Sequence, residues 1–522
     1  VPNVLIPHPK SYTLWMKGGT DKENTESGIK IYFSDYFEVP EKTIKKYGAF
    51  NISLVADLPL FIDPFLLFHS RKTTYKKLHS EIIKYLAFLR DRSSTSISPG
   101  LLKAWYRFPE VKQNWFGFTG NGNEGHGLGN KFAVALNGSL ENIFKDFGNE
   151  TVTKSSHLEK LCLIREGVGR DNISDFTTNL IKGFLLEYTQ DFSIKYLDKK
   201  FVRKFTIRKA RFNYKTETWE DGIFSLPFFE GDYVILTPRD ILTKDETWIN
   251  KEDLFDDFEQ IPYAIPNEEL RAQLNNYFNS CLPKKVNKKG KALEPSQKDI
   301  RKAAFETLQK FPEAIDYYIK RKEDTGELAE QVSLGKVEYS EELFLNVAKH
   351  FSSQLEKDTQ FYSLTGNTYD EARTRIKYLK ESIENNNAYR IFYDKKGNPI
   401  EREEDIQVLF RLVWCGSPSS VDSEVDNGRG PVDYKISRGS SDSSLVEFKL
   451  AKNKHLKKNL EKQLDIYQKA NKTEQGIYVI IYFSENELLR VRKILKELDL
   501  QEGERIVLID ARRDNKQSAS KS

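Results

Sequence analysis

Eight consecutive apolar or small residues, Gly476 to Phe483 (GIYVIIYF), lie between two stretches with helical spacing. A run of that length rich in β-branched and aromatic residues is too short for a buried helix and predicts a strand with both faces covered. The elements around it follow in a regular order. A helix is expected over Glu404–Trp414, then short strands at 421–425 (VDSEV), 431–437 (PVDYKIS) and 444–450 (SLVEFKL). An amphipathic basic helix is expected from His455 to Ala470, a helix over 485–498 capped by Ser484, and a last strand at 505–510 (RIVLID). The order α-β-β-β-α-β-α-β requires a sheet with helices packed on it.

Alternation within the short strands singles out three side chains. Glu447 and Lys449 are two residues apart and share a face, whereas Val446 and Phe448 face the opposite way, toward a core. If 431–437 and 444–450 form a hairpin, Asp433 meets Glu447 across the ladder. Two carboxylates and an ammonium then form one cluster. Carboxylate oxygens are hard ligands for Mg²⁺ or Mn²⁺, and a lysine beside them can orient a water or offset developing charge.

The run GPVDYKIS…VEFKLAK…KQLDIY resembles the PD-(D/E)XK (restriction-endonuclease-like) nuclease superfamily over about residues 400–522. The resemblance implies a C-terminal restriction-endonuclease-like α-β-β-β-α-β core. It implies metal binding by Asp433 and Glu447, support of the attacking water by Lys449, and a further acid from the preceding helix. Glu403 is preferred for that acid over Glu404. It also implies a contact from Gln463 to the site, with Tyr467 on the same helical face packing instead. The sequence departs from the motif in reading P-V-D at 431–433. Glu424, on the first strand, is assigned a structural role.

Local charge bears on the substrate. Net charge is only +4 over 522 residues, so the chain as a whole is no obvious nucleic-acid binder. Residues 451–470, however, hold six lysines against two acids, and Lys452, Lys454, Lys457 and Lys458 adjoin the acidic cluster. Arg512, Arg513, Lys516 and Lys521 extend the basic character into the tail. Phosphate contacts from such a surface would be salt-dependent and mostly blind to sequence.

The rest of the chain is read as an α/β multidomain arrangement. Residues 1–150 and 151–283 are mixed α+β, the second a possible recognition or regulatory region, and 296–395 are mainly helical. The expected elements include a strand at Asn51–Leu58, a helix at Leu78–Leu89, a helix around Asp175–Tyr188 and a strand at Gly231–Pro238. Lys284–Lys291 (KKVNKKGK) is expected to be a linker. The glycine-rich stretch 117–130 contains GNGNEG but lacks the strand and helix context of a nucleotide-binding turn. In 165–176, Glu166, Arg170, Asp171 and Asp175 surround glycines, and a capped helix after Asp175 is the expected outcome. The histidines show no metal-ligand spacing.

These features lead to one favoured expectation and two alternatives. The favoured one is a Mg²⁺-dependent nuclease acting on DNA, of restriction or phage-defence type. The alternatives are a catalytically idle nucleic-acid-binding regulator and an RNA-cleaving toxin with its site near Asp171. Architecture suggests a homodimer and an additional defence-system subunit as partners. Three scattered cysteines and no 18-residue apolar run fit a reducing, cytoplasmic compartment without a membrane anchor. The first fifteen residues lack a signal-peptide layout.

Overall fold

The computed structural model describes residues 30–516 except positions 56, 94–95, 118–127, 143–146, 149, 165–168, 245, 284, 287–291, 358–365, 386–388, 390–391, 394–398, 400–409, 411–413, 415–418, 427–430, 439–441, 462–473 and 504. The elements that matter below begin with helices α1 (Thr73–Arg92), α2 (Pro99–Tyr106), α3 (Arg170–Leu180) and α4 (Lys182–Tyr196). Strands β1 (Val202–Asn213) and β2 (Thr218–Phe229) form a long antiparallel hairpin, joined by the short β3 (Asp232–Tyr233). Helices α5 (Gln297–Lys310), α6 (Ala314–Asp324), α7 (Gly326–Lys357) and α8 (Thr368–Asn385) follow, as the helical, charged pattern predicts. Ser296 and Asp299 form a capping box that starts α5.

The C-terminal part is a five-stranded mixed sheet. Its strands are β4 (Ser420–Asp426), β5 (Pro431–Ser437), β6 (Ser443–Leu450), β7 (Glu474–Tyr482) and β8 (Ile506–Asp510), in spatial order β8-β7-β6-β5-β4. β4, β5 and β6 are an antiparallel meander, whereas β7 runs parallel to β6 and β8 parallel to β7. Parallel neighbours need a crossover. Between β7 and β8 this is α9 (Glu485–Glu497), whose first turn is capped by Ser484, accepting from the Glu487 N–H.

Period-two alternation divides the sheet into two apolar faces. Val446, Phe448 and Leu450 of β6 and Ile477, Val479 and Ile481 of β7 join the main core, together with Ala372, Ile376, Leu379 and Ile383 of α8. Tyr478, Ile480 and Tyr482 point the other way, against Leu456 and Leu460 and the α9 residues Leu488, Val491, Ile494 and Leu495. β7 is thus covered on both faces, which is why its sequence is apolar or aromatic from Ile477 on.

Elsewhere several expectations are corrected. Asn51–Leu58 is no strand: Ser53 and Leu58 each make a single isolated bridge, to Tyr32 and Phe116. Asn51, Ile52 and Ser53 are nearly inaccessible because the segment threads the core rather than joining a ladder. In Gly231–Pro238 only Asp232–Tyr233 are strand, and Val234–Leu236 pass into the core as irregular chain. The helix around Asp175–Tyr188 is two helices broken at Ile181, whose ψ of 8° ends α3. The cap at its start is Gly169, six residues before Asp175, and Asp175 lies inside α3. Within the expected 284–291 linker, Lys285 pairs with Leu293 and Val286 with Ala292, and the remaining positions lie outside the described residues. Among the described residues no helix is long and apolar enough to cross a membrane.

Candidate active site on the C-terminal sheet

Asp433 and Glu447 meet where the β5–β6 ladder gives way. Backbone pairing runs from Ser437↔Ser443 to Tyr434↔Val446. At the next step the Asp433 carboxylate takes the partner role, its Oδ2 accepting the Phe448 N–H at 2.6 Å. A side chain replaces a carbonyl there, and the acid is fixed against β6 without a further residue of strand pairing.

Lys449 lies between the two carboxylates. Its Nζ is 3.2 Å from Glu447 Oε1 and 3.5 Å from Asp433 Oδ2, and it donates to the Phe448 carbonyl at 2.9 Å. All three side chains are largely shielded, at 16% exposure for Asp433, 8% for Glu447 and 11% for Lys449. Burial holds the Glu447 carboxyl above its ordinary range. Lys449 opposes that shift, Asp433 adds to it, and Tyr478 opposes it. Tyr478 sits directly in register with Glu447 on β7, a neighbour that sequence alone did not flag. The one signal for it is the phenol that Tyr478 brings between Ile477 and Val479 in the apolar part of the strand.

The donor set fits a hard divalent cation. Two converging carboxylates, one with its charge disfavoured by burial, gain from a second positive charge. Among the described residues no group of three or more His, Cys, Asp or Glu side chains is arranged to hold a metal ion. Glu403, Glu404, Gln463 and Tyr467 lie outside the described residues. The β4–β5 register, pairing Ser423 with Tyr434 and Val425 with Val432, puts position 424 opposite 433. Glu424 therefore occupies a backbone position beside the site.

The basic segment after β6 is brought to the same face. Ala451, Leu456 and Leu460 are buried, while Lys452, Lys454, Lys457 and Lys458 are exposed. Lys457 pairs with Glu497 of α9 at 2.9 Å, so its charge is partly spent within the fold. The tail is further from the expectation. Arg512 pairs with Asp510 and with Glu485, and Lys516 donates to the Asp510 carbonyl, so these cations tie down the end of β8.

Asp171 and Asp175 are one turn apart on α3. Asp175 is pushed up to about 7 by burial and then by the charges of Glu110 and Asp171. Arg170 pairs with Glu246. Glu166 lies outside the described residues.

Two family models match the chain, both described as domains of unknown function. DUF8370 covers residues 38–250 and DUF8371 covers residues 368–485. The second span contains α8, β4 to β7 and the Asp433, Glu447 and Lys449 cluster. No curated protein and no solved structure matches the chain.

Proposed function

We propose that the chain is a metal-dependent nuclease of PD-(D/E)XK type, hydrolysing phosphodiester bonds in DNA. The observation that carries this reading is the placement of Lys449 Nζ within 3.2 Å of Glu447 and 3.5 Å of Asp433 on adjacent strands. The meander followed by parallel strands, with helices on both faces, supports the same reading. Asp433 and Glu447 would hold Mg²⁺, or Mn²⁺ in its place. Bound there, the ion polarises a phosphoryl oxygen and lowers the pKa of a water. Lys449 orients the nucleophile and offsets negative charge that builds on the phosphate. Lys452, Lys454 and Lys458 contact the backbone without reading sequence. A restriction-like or defence role, with a homodimer or an additional subunit, is the biological context this chemistry suits.

The test is incubation of the wild-type chain and Asp433→Ala with plasmid DNA, linear DNA and structured RNA, in Mg²⁺ or in EDTA. Mg²⁺-dependent DNA products that disappear in the variant support the reading. Cleavage of RNA that survives in the variant would move the activity elsewhere, with α3 the first place to look.

A further inference from the structure

We infer that the β1–β2 hairpin and the end of α2 form a second DNA-backbone surface, separate from the lysines after β6. The nuclease reading supplies the identity of the polyanion; the charge arrangement itself stands apart from it. Of the seventeen residues from Lys195 to Arg211, eight are Lys or Arg and one, Asp198, is acidic. A net charge of +4 conceals this concentration.

Two of the eight, Lys200 and Arg211, pair with Glu38 and Glu187, and the fold turns Lys209 of the same run toward cations of other elements. β1 carries a bulge between Ile207 and Arg211, and Lys209 within it has a left-handed φ of 51°. Bulges re-aim side chains. Lys209 Nζ is turned back onto the C-terminal end of α2, 3.3 Å from the Ala104 carbonyl and 3.2 Å from that of Arg107. Lys182, at the start of α4 and only 4% exposed, donates to the Arg208 carbonyl at 2.8 Å. Lys103, Arg107, Lys182 and Lys209 therefore converge from three elements, and Arg208 is exposed next to Lys209 on the bulged strand.

Their mutual effect is repulsive. Burial and then the Lys209 charge push Lys182 down to about 8. Burial and then Arg107 and Lys103 push Lys209 down. The hydrogen bonds that the Lys182 and Lys209 ammonium groups make are to carbonyls. Asp221 is the acid that bears on Lys182, and it also accepts the Lys209 backbone N–H. Exposed Lys103, Arg107 and Arg208 have no carboxylate partner among the described residues. Lys204 stands four residues before Arg208, about 13 Å along the strand at ~3.3 Å per residue. That span exceeds a single phosphate. It suits a duplex, which carries a charge about every 1.7 Å of its axis.

The experiment measures binding of the full chain to a fluorescein-labelled duplex in EDTA across a salt series, so that cleavage plays no part. Arg107→Ala/Arg208→Ala and Lys103→Ala/Lys204→Ala are compared with wild type, with thermal melts to establish folding. Each pair is expected to lower affinity about tenfold at low salt. Each should also reduce the slope of log K against log salt by about 2, from the loss of two phosphate contacts. Unchanged affinity and slope in the folded variants would overturn the inference, as would absence of duplex binding by wild type. Tighter, equally arginine-dependent binding to a structured RNA would overturn its assignment to DNA. A chain that binds duplex through these residues yet yields no Mg²⁺-dependent product would refute the nuclease reading and leave this surface standing.

Discussion

The Asp433 carboxylate accepts the Phe448 backbone N–H at 2.6 Å, so the same side chain that would bind metal also ends the β5–β6 ladder. Charge and hydrogen bonding at this position are separable. Asp433→Asn keeps an oxygen able to accept from Phe448, and it is expected to melt close to wild type while losing cleavage. Asp433→Ala loses the acceptor as well and leaves a part-buried N–H unsatisfied, a cost of about 1–3 kcal/mol. Parallel denaturant titrations and plasmid assays check both. Full cleavage by Asp433→Asn would remove Asp433 from the metal site.

Lys449 is the counter-ion of two shielded acids. On the sequence alone Lys449→Ala is expected to leave folding intact because the side chain points away from the core. The structure revises this, since removal takes away the ammonium that lies between Glu447 and Asp433. Glu447, already raised by burial, then rises further. A carboxyl raised above its unfolded value binds a proton that the unfolded chain has released, so its stability contribution is lost as pH rises through the folded pKa. Lys449→Met is therefore expected to lower cleavage by about 10²–10³-fold. It should also lose more stability than wild type as pH rises above the ordinary carboxyl range. Melting curves from that range upward, beside single-turnover rates, separate the two effects.

The C-terminal strands were legible because their two faces meet different environments. Val446 and Phe448 enter one core while Glu447 and Lys449 turn away, and that difference is written as alternation. Ser484 was readable as a cap for the same local reason. Asn51–Leu58 and Gly231–Pro238 were not, because burial made them apolar without placing them in a ladder, and composition does not distinguish the two. The break at Ile181 has no Gly or Pro at the residue itself, and the nearby Gly183 lies inside α4. The cations of β1 were in plain sight, but what brings Lys209 to α2 is a bulge, which no residue pattern announces.

Glu371 holds two arginines at the edge of the sheet. It accepts from Arg375 at 2.9 Å and from Arg438 at 2.7 Å, and Ser419 donates to it at 2.6 Å. Arg375 is 1% exposed and lies over the Trp414 ring. Arg438 directly follows β5, so the network anchors the strand that carries Asp433. Glu371→Ala removes the carboxylate that a buried guanidinium pairs with and is expected to cost about 3–5 kcal/mol. Urea denaturation measures it. A loss below about 1 kcal/mol would show that the arginines find other acceptors and that Glu371 does not anchor β5.

Asp63 and Glu159 are fully buried together in the N-terminal half, and they set a pH dependence of stability. Asp63 accepts backbone N–H groups from Trp248 at 2.7 Å and Phe65 at 3.0 Å, yet burial still pushes it up to about 6. Glu159 is pushed well above its ordinary value by burial and then by Asp63. Both acids keep protons that the unfolded chain releases near pH 4, so folding stability declines as pH rises from there through the folded values. His79 acts in the opposite sense. Burial and then His157 hold it down to about 3, so its contribution is lost as pH falls below about 6.5, where the unfolded imidazole takes a proton. Above pH 6.5 the histidine is neutral in both states; Asp175 and Lys182 also titrate there, so the difference between wild type and a Glu159 variant isolates the acid pair. Glu159→Gln removes one ionisable group and relieves the other at nearly constant shape. Between pH 6.5 and pH 9 the melting temperature of wild type is expected to fall more steeply than that of the variant. Parallel curves over that interval would mean that Glu159 stays protonated throughout and that the pair does not set the alkaline limit.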